Sequence, residues 1–301
     1  MTAARSTKAP DAAGRGVLRA ASWLLLAFTT VYFIVPVLWL VITPSKDDSA
    51  LVRSNPLAFG SLENISRAWA NLLEFQDGAY LTWFGNSIFY SVSALVLTVL
   101  ACIPAGYGLA MTRFRGRTLL LAATLIVMLV PDTALVLPIY LELSAVHLTG
   151  TPLSVILPFS FYPFGVYLTY IYYSTALPKD LLAAARIDGC NEWQLFTRIA
   201  LPLAKPVIAL VAFFGFVGNW NNYFLPLVML ARDETYPLQL GLEQLVAATP
   251  AFNPGIGGGN LEINRPELAL AVLVAVLPVL LLFMFSQRTL VSGMLAGATK
   301  E

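Results

Sequence analysis

The stretch Leu177-Pro-Lys-Asp-Leu-Leu-Ala-Ala-Ala-Arg-Ile-Asp-Gly-Cys-Asn-Glu-Trp-Gln-Leu-Phe-Thr-Arg-Ile-Ala-Leu-Pro-Leu-Ala-Lys-Pro206 holds the clearest local order in the chain. Pro178 suits the first position of a helix, the alanine- and leucine-rich run 181–187 propagates it, and Asp188-Gly189 ends it. Glycine is the residue for that turn because it enters positive φ without a Cβ penalty. Glu192 to Ala200 reads as a second short helix with Trp193, Phe196 and Ile199 on one face, closed by Leu201-Pro202. Two short helices about a glycine turn make a hairpin, and such ordered, partly apolar construction suits a docking surface better than a passive connection.

The hairpin sits between long apolar segments. Of the 301 residues 58% are hydrophobic and 12% charged, against about 45–50% and about 25% in soluble domains. With a mean hydropathy of +0.74, this excludes an ordinary soluble enzyme and predicts an all-α integral membrane protein. Uncharged runs long enough to cross about 30 Å of hydrocarbon occur at 18–43, 86–112, 119–141, 152–173, 206–231 and 268–285. The first is preceded by Arg5, Lys8, Arg15 and Arg19, but its length and the lack of a small-x-small cleavage site favour a retained anchor over a signal peptide. The expected division is a tail at 1–17, a six-helix transmembrane domain at 18–286 containing the hairpin at 177–206, and a tail at 287–301.

Charge sets the orientation. The net charge of +1 conceals an asymmetry: thirteen of the eighteen basic residues fall in the two tails, the 113–117 connection and the hairpin. By the positive-inside rule these segments are cytoplasmic, so six transmembrane helices leave both termini inside. Trp23, Trp39 and Trp83, near span ends, read as interfacial anchors. The external segments 44–85 and 232–267 are long. The Gly255-Ile256-Gly257-Gly258-Gly259 run lacks the Lys-Ser/Thr of a phosphate loop and reads as a flexible loop.

Much chemistry is ruled out. His147 is the only histidine, and Cys102 and Cys190 the only cysteines, so no histidine metal cluster, Ser-His-Asp triad or disulfide framework can form. The nearest ionisable groups to a span interior are Asp132 and Glu142, which leaves an ion-coupled carrier without the midplane acid it needs. The uncharged hydrogen-bonding and aromatic side chains within spans are Asn86, Tyr162, Tyr167, Tyr170, Asn219, Trp220, Asn221 and Asn222. They are the candidates for a path taken by a neutral, hydroxyl-rich solute, although interhelical hydrogen bonding accounts for the asparagine cluster nearly as well.

The 177–206 stretch resembles the EAA loop of binding-protein-dependent ABC importer permeases, Glu-Ala-Ala-x-x-x-Gly followed by Ile-x-Leu-Pro. The matching positions are Ala184, Ala185, Asp188, Gly189, Ile199, Leu201, Pro202 and Pro206. The similarity extends through Phe84-Gly85-Asn86-Ser87, Ala105-Gly106-Tyr107-Gly108-Leu109-Ala110, Phe114-Arg115-Gly116, Trp220-Asn221 and the tail from Gly293 to Lys300, and points to the carbohydrate-uptake branch of maltose-permease G-subunit type. The resemblance implies a type I importer permease (MetI-like) fold in a bacterial plasma membrane, with no catalysis and no cofactor of its own. The implied partners are a second homologous permease, two ATP-binding cassette ATPase subunits, an extracytoplasmic sugar-binding protein and the lipid bilayer, with no nucleic acid. It assigns ATPase coupling to Asp180, Ala183, Ala184, Ala185, Asp188, Gly189, Phe196, Ile199, Leu201 and Pro202, and the tail from 293 onward to the ATPase interface. The chain departs from the pattern at Ala183, where the family has Glu; Asp180, three residues earlier on nearly the same face, can take that role. A self-contained secondary carrier or channel, or an importer of a polyol or glycerol phosphate, are the alternatives.

Overall fold

The computed structural model describes residues 12–256 and 263–296. The first part of the N-terminal tail, residues 257–259 of the glycine run and the last five residues of the C-terminal tail lie outside the described residues. Among the described residues all regular structure is helical. Four helical stretches are long and apolar enough to cross a membrane, and six if each bent helix pair counts as one crossing.

The first helix, α1 (Ala12–Ile42), begins inside the segment assigned to the tail. At about 1.5 Å per residue its 31 residues exceed the hydrocarbon thickness. Trp23 and Trp39 are exposed along it, as a lipid-facing helix requires. Outside it, the chain ties a polar knot. Lys46 is almost fully buried, its Nζ donating to Ser54 Oγ at 3.2 Å and to the Asn55 and Pro56 carbonyls. Two short helices follow, α2 (Asp48–Arg53) and α3 (Leu62–Glu74), N-capped by the side chains of Asp47 and Ser61.

Next comes the mast of the fold, α4 (Ala79–Met111), entered through three left-handed residues, Gln76, Asp77 and Gly78. Its buried side carries Ser87, Ser91, Ala94, Thr98, Cys102 and Gly106, a stripe of small residues that lets neighbouring helices approach closely. Trp83 corrects the anchor reading: it is fully buried, donates its indole N–H to the Asp233 carbonyl at 3.0 Å and faces Gly241. Its ring is locked in the external core rather than placed at a lipid interface.

The third candidate span is not a straight crossing. It divides into α5 (Arg117–Val127) and α6 (Asp132–Ala145), turned by 110°. The cause is local: Pro131 disfavours the helical conformation at Val130 and lacks the N–H that would continue α5. His147 closes α6 in the left-handed region at φ 56°, with His147 N–H on the Ser144 carbonyl and Leu148 N–H on the Leu143 carbonyl. The lone histidine is therefore a helix cap. The fourth span is α7 (Leu153–Ser160) plus α8 (Pro163–Thr175), interrupted at Phe161-Tyr162 before another proline.

The hairpin comprises α9 (Lys179–Ile187), α10 (Glu192–Gln194), a π-helical segment at Leu195–Ala200 and α11 (Leu201–Leu203). Leu201-Pro202 does not close it, contrary to the sequence reading. The wider π turn accommodates the Pro202 ring, and the chain turns by 73° only at Ala204. The fifth span runs as α12 (Lys205–Trp220), a break at 221–223 and α13 (Phe224–Met229). After α14 (Leu238–Ala247), α15 (Arg265–Ala296) extends well past the end of the span inferred at 285.

The outer ends of the first and last spans are joined by an ion pair. Arg265 donates to both Asp48 carboxylate oxygens at 2.7 Å, and Asn71 donates to Glu267 at 2.8 Å. The hydrogen bond from Arg265, opposed in part by burial, holds the Asp48 carboxyl below its ordinary value of 3.8. A carboxyl lowered on folding adds stability above its unfolded value and loses it as pH falls through the folded one. Asp48→Asn is therefore expected to lower the thermal midpoint of the detergent-solubilised protein at pH 7. The difference from wild type should close below about pH 4, as differential scanning fluorimetry across pH will read.

Candidate functional site

Two sites emerge, one at the hairpin and one within the spans. In the hairpin, α9 sorts its residues by the helical period. Asp180, Ala183, Ala184 and Ile187, at i, i+3, i+4 and i+7, are exposed along one face. Leu182 and Ala185 point the other way and are buried with Leu177, Tyr173, Leu195 and Phe196. The turn is a Schellman cap: Gly189 adopts φ +87°, its N–H bonds the Arg186 carbonyl and Cys190 N–H bonds the Ala185 carbonyl. The second arm starts with a capping box, Asn191 and Gln194 each accepting from the other's backbone N–H.

This backbone is fixed at both ends of its turn and presents apolar side chains outward. Ile187 is 87% exposed and Trp193 70%, with Leu181 also exposed. Trp193 does not share the buried side of Phe196, contrary to the one-face reading, although their rings touch at 5.8 Å. Of the other coupling candidates, Asp188, Gly189 and Pro202 are exposed, whereas Ile199 and Leu201 are half-buried. The hairpin's core holds Phe196 against Tyr107 of α4 at 5.1 Å, and Tyr107 against Tyr173 of α8 at 5.4 Å. Ile187 was missed as a surface residue, although its spacing from Asp180, Ala183 and Ala184 already placed it on their face.

The second site is a cavity of about 460 Å³ into which the three helix breaks open. Its wall includes Met128, Val130 and Asp132 from the α5–α6 turn, Phe161 and Tyr162 from the α7–α8 break, and Asn219 and Asn222 beside the end of α12. Discontinuous helices are tolerated at membrane depth where they line a cavity or are buried in protein. The α12 break follows from side-chain competition with the backbone. Asn221 Nδ2 donates to the Val217 carbonyl at 2.9 Å, and Asn222 Oδ1 accepts from Leu225 N–H at 3.2 Å, in the first turn of α13. Asn219 Nδ2 is buried with no hydrogen-bond partner among the described residues.

The path candidates thus separate. Tyr162, Asn219 and Asn222 line the cavity. Asn86 instead donates to the Glu234 and Tyr236 carbonyls, tying α4 to the external segment. Trp220 is buried, donating to the Ala275 carbonyl at 3.0 Å. Asn221 is exposed, and Tyr167 and Tyr170 stack on each other along α8, away from the cavity wall. Among the described lining residues Asp132 is the only charged one, in the first turn of α6, where its charge complements the helix dipole. The aromatic wall of Phe159, Phe161, Phe164 and Phe214 was not singled out, because apolar residues in a span carry no sequence mark of facing a cavity.

The family model for "binding-protein-dependent transport system inner membrane component" matches residues 102–295, and the chain belongs to that family. The chain is 32% identical over 282 residues to the arabinooligosaccharides transport system permease protein AraQ of Halalkalibacterium halodurans, covering 93% of this chain and 96% of that one. It is 30% identical to the diacetylchitobiose uptake system permease protein NgcG of Streptomyces coelicolor, covering 92% and 88%. Its fold matches a chain in the crystal structure of a bacterial ABC transporter involved in the import of the acidic polysaccharide alginate, with a TM-score of 0.79 at 21% identity, covering 94% of this chain and 99% of that one. It is thus a multi-pass membrane permease subunit of an ABC importer with the type I fold.

Proposed function

We propose that this chain is one of two homologous permeases of an ATP-driven sugar importer, fed from outside by a sugar-binding protein and driven by a pair of cytoplasmic ATPase subunits. The observation that carries the coupling part is the exposed stripe Asp180, Ala183, Ala184 and Ile187 on a hairpin whose turn is fixed by its own backbone. Small side chains let a partner approach closely, and Ile187 and Trp193 supply apolar anchors beside them. ATPase closure would push this face, and the hairpin would pass the motion to the spans. The permease itself hydrolyses nothing. The tail from 293 onward is a second candidate ATPase contact. A second permease fits α1, whose most apolar stretch buries none of its residues within this chain.

The relatives' names favour a sugar, and so does the cavity. Its polar groups are hydrogen-bonding side chains among aromatic rings, the pattern that suits a solute with hydroxyls on an apolar ring face. Among the described lining residues none is basic, and Asp132 repels an anion. A neutral sugar is therefore favoured over glycerol phosphate, with a polyol as the second reading. Calorimetry of the cognate binding protein against neutral sugars, polyols and sugar phosphates tests this. Tight binding of a neutral saccharide supports the proposal, and preference for a phosphorylated ligand contradicts it.

Asn219 gives a sharper test of the cavity. Its unpartnered amide makes no hydrogen bond whose loss would destabilise the fold. Asn219→Ala is expected to leave the thermal midpoint unchanged or raised while reducing uptake about tenfold, the equivalent of one lost hydrogen bond to the passing solute. A lowered midpoint with proportionate loss of uptake would assign the residue to packing.

A further inference from the structure

The hairpin's root carries a polar cluster that docking alone does not use. Arg186, in the last turn of α9, donates its Nε–H to Glu192 Oε1 at 3.0 Å, and its Nη2 lies 3.0 Å from the same oxygen as an ion pair. The other oxygen, Glu192 Oε2, accepts from the Tyr107 hydroxyl at 3.3 Å. Glu192 opens the second arm of the hairpin, and Tyr107 is a buried residue of α4, the helix against which α7, α8 and α12 pack. One carboxylate therefore joins both arms of the hairpin to the mast of the spans. Among the described residues, Tyr107–Glu192 is the only side chain to side chain hydrogen bond from the hairpin to a span.

The cluster's geometry points to orientation rather than stability. Arg186 and Glu192 are both about half exposed, and ion pairs at such positions add little to stability. The ring contacts of Tyr107 with Phe196 and Tyr173 are apolar and resist compression, but they do not fix direction. Charge-assisted hydrogen bonds do. A push on the exposed stripe can tilt the hairpin against α4 or carry α4 with it, and the carboxylate opposes the first of these.

We propose that Glu192 is a positioning residue for coupling, which locks the two arms of the hairpin to α4 through Arg186 and Tyr107 so that motion applied to the exposed stripe reaches the cavity. The inference rests on the hairpin being the ATPase docking element. The test uses the whole importer, co-purified with its ATPase subunits and second permease and placed in proteoliposomes. A reporter cysteine replaces Phe161 in the cavity wall, with Cys190 changed to Ser and the buried Cys102 retained. Labelling by a membrane-impermeant maleimide is compared in the nucleotide-free and ATP-vanadate-trapped states, alongside ATP hydrolysis, so no transported solute need be known.

With Glu192 intact, trapping is expected to change the labelling rate. Glu192→Ala should reduce that change about tenfold, the effect of a shift of roughly 1.4 kcal/mol in the balance of states, while the ATPase subunits still co-purify and hydrolyse ATP. Tyr107→Phe, which keeps the ring packing, should shift it in the same direction. The exchange Arg186→Glu with Glu192→Arg should restore the response, because a tyrosine hydroxyl also accepts from a guanidinium. A response equal to wild type in both Glu192→Ala and Tyr107→Phe overturns the proposal, and if Glu192→Ala fails to assemble, Tyr107→Phe decides alone. Failure of the ATPase subunits to co-purify with the unmutated hairpin instead overturns the docking reading, and the proposal with it.

Discussion

Gly189→Val is expected to abolish ATP-driven uptake while the chain remains in the membrane at its normal level. Gly189 sits at φ +87°, and a Cβ placed there would meet no atom within 4 Å. The demand is therefore on the backbone alone. A non-glycine residue in the left-handed region costs about 1–2 kcal/mol, and a β-branched one more because its side chain crowds the backbone there. Valine relieves that cost by leaving the Schellman turn, which releases Cys190 N–H from the Ala185 carbonyl and swings the second arm relative to the exposed stripe. The spans need no such change, so insertion is unaffected. A graded series follows: Gly189→Asn, which tolerates positive φ, should keep most of the uptake, and Gly189→Ala should fall between. Uptake assayed with membrane immunoblots reads both effects, and normal uptake in the valine variant would remove the turn from the mechanism.

The second large effect is expected from Gly106→Ala, with Gly108→Ala as its control. A Cβ on Gly106 would lie 2.5 Å from Thr169 Cβ and 2.9 Å from the Thr169 backbone, so α4 and α8 must separate to admit one methyl group. Overpacking of this kind costs about 1–3 kcal/mol. Gly108, two residues on, has nothing within 4 Å of the same position. There alanine gains roughly 0.5–1 kcal/mol of helix propensity and should be neutral or stabilising. The thermal midpoint in detergent should therefore drop for the first variant and hold or rise for the second. Gly106 directly precedes Tyr107, so the displacement should also loosen the hairpin's anchorage and depress uptake beyond the stability loss.

What could be read from the sequence was whatever depends on local pattern. The exposed and buried faces of α9 follow from residues three and four apart, and Asp188-Gly189 announces its own cap. The breaks were less legible. Pro131 and Pro163 lie in apolar runs whose hydropathy stays high, so a composition reading passes over the turn between α5 and α6 and the interruption before α8. The placement of side chains across helices was not legible at all. Trp83 and Trp220 look like interface or ligand residues until Asp233 and Ala275 are seen to take their N–H groups. Asn86 and Asn219 are the same residue type in similar surroundings, yet the amide nitrogen of one donates to two backbone carbonyls and that of the other is unpartnered in a cavity wall. Only the pairing of distant segments separates such cases.

The exposed face of the hairpin is expected to meet the ATPase. Photocrosslinking in native membranes tests it most directly, with a benzoylphenylalanine placed in turn at Ile187, Ala183 and Leu182 of the assembled importer. The first two are exposed and the third is buried. A covalent product with the ATPase subunit is expected from Ile187 and Ala183 and none from Leu182. Absence of that product at both exposed positions, in a complex that still takes up solute with ATP, would contradict this docking.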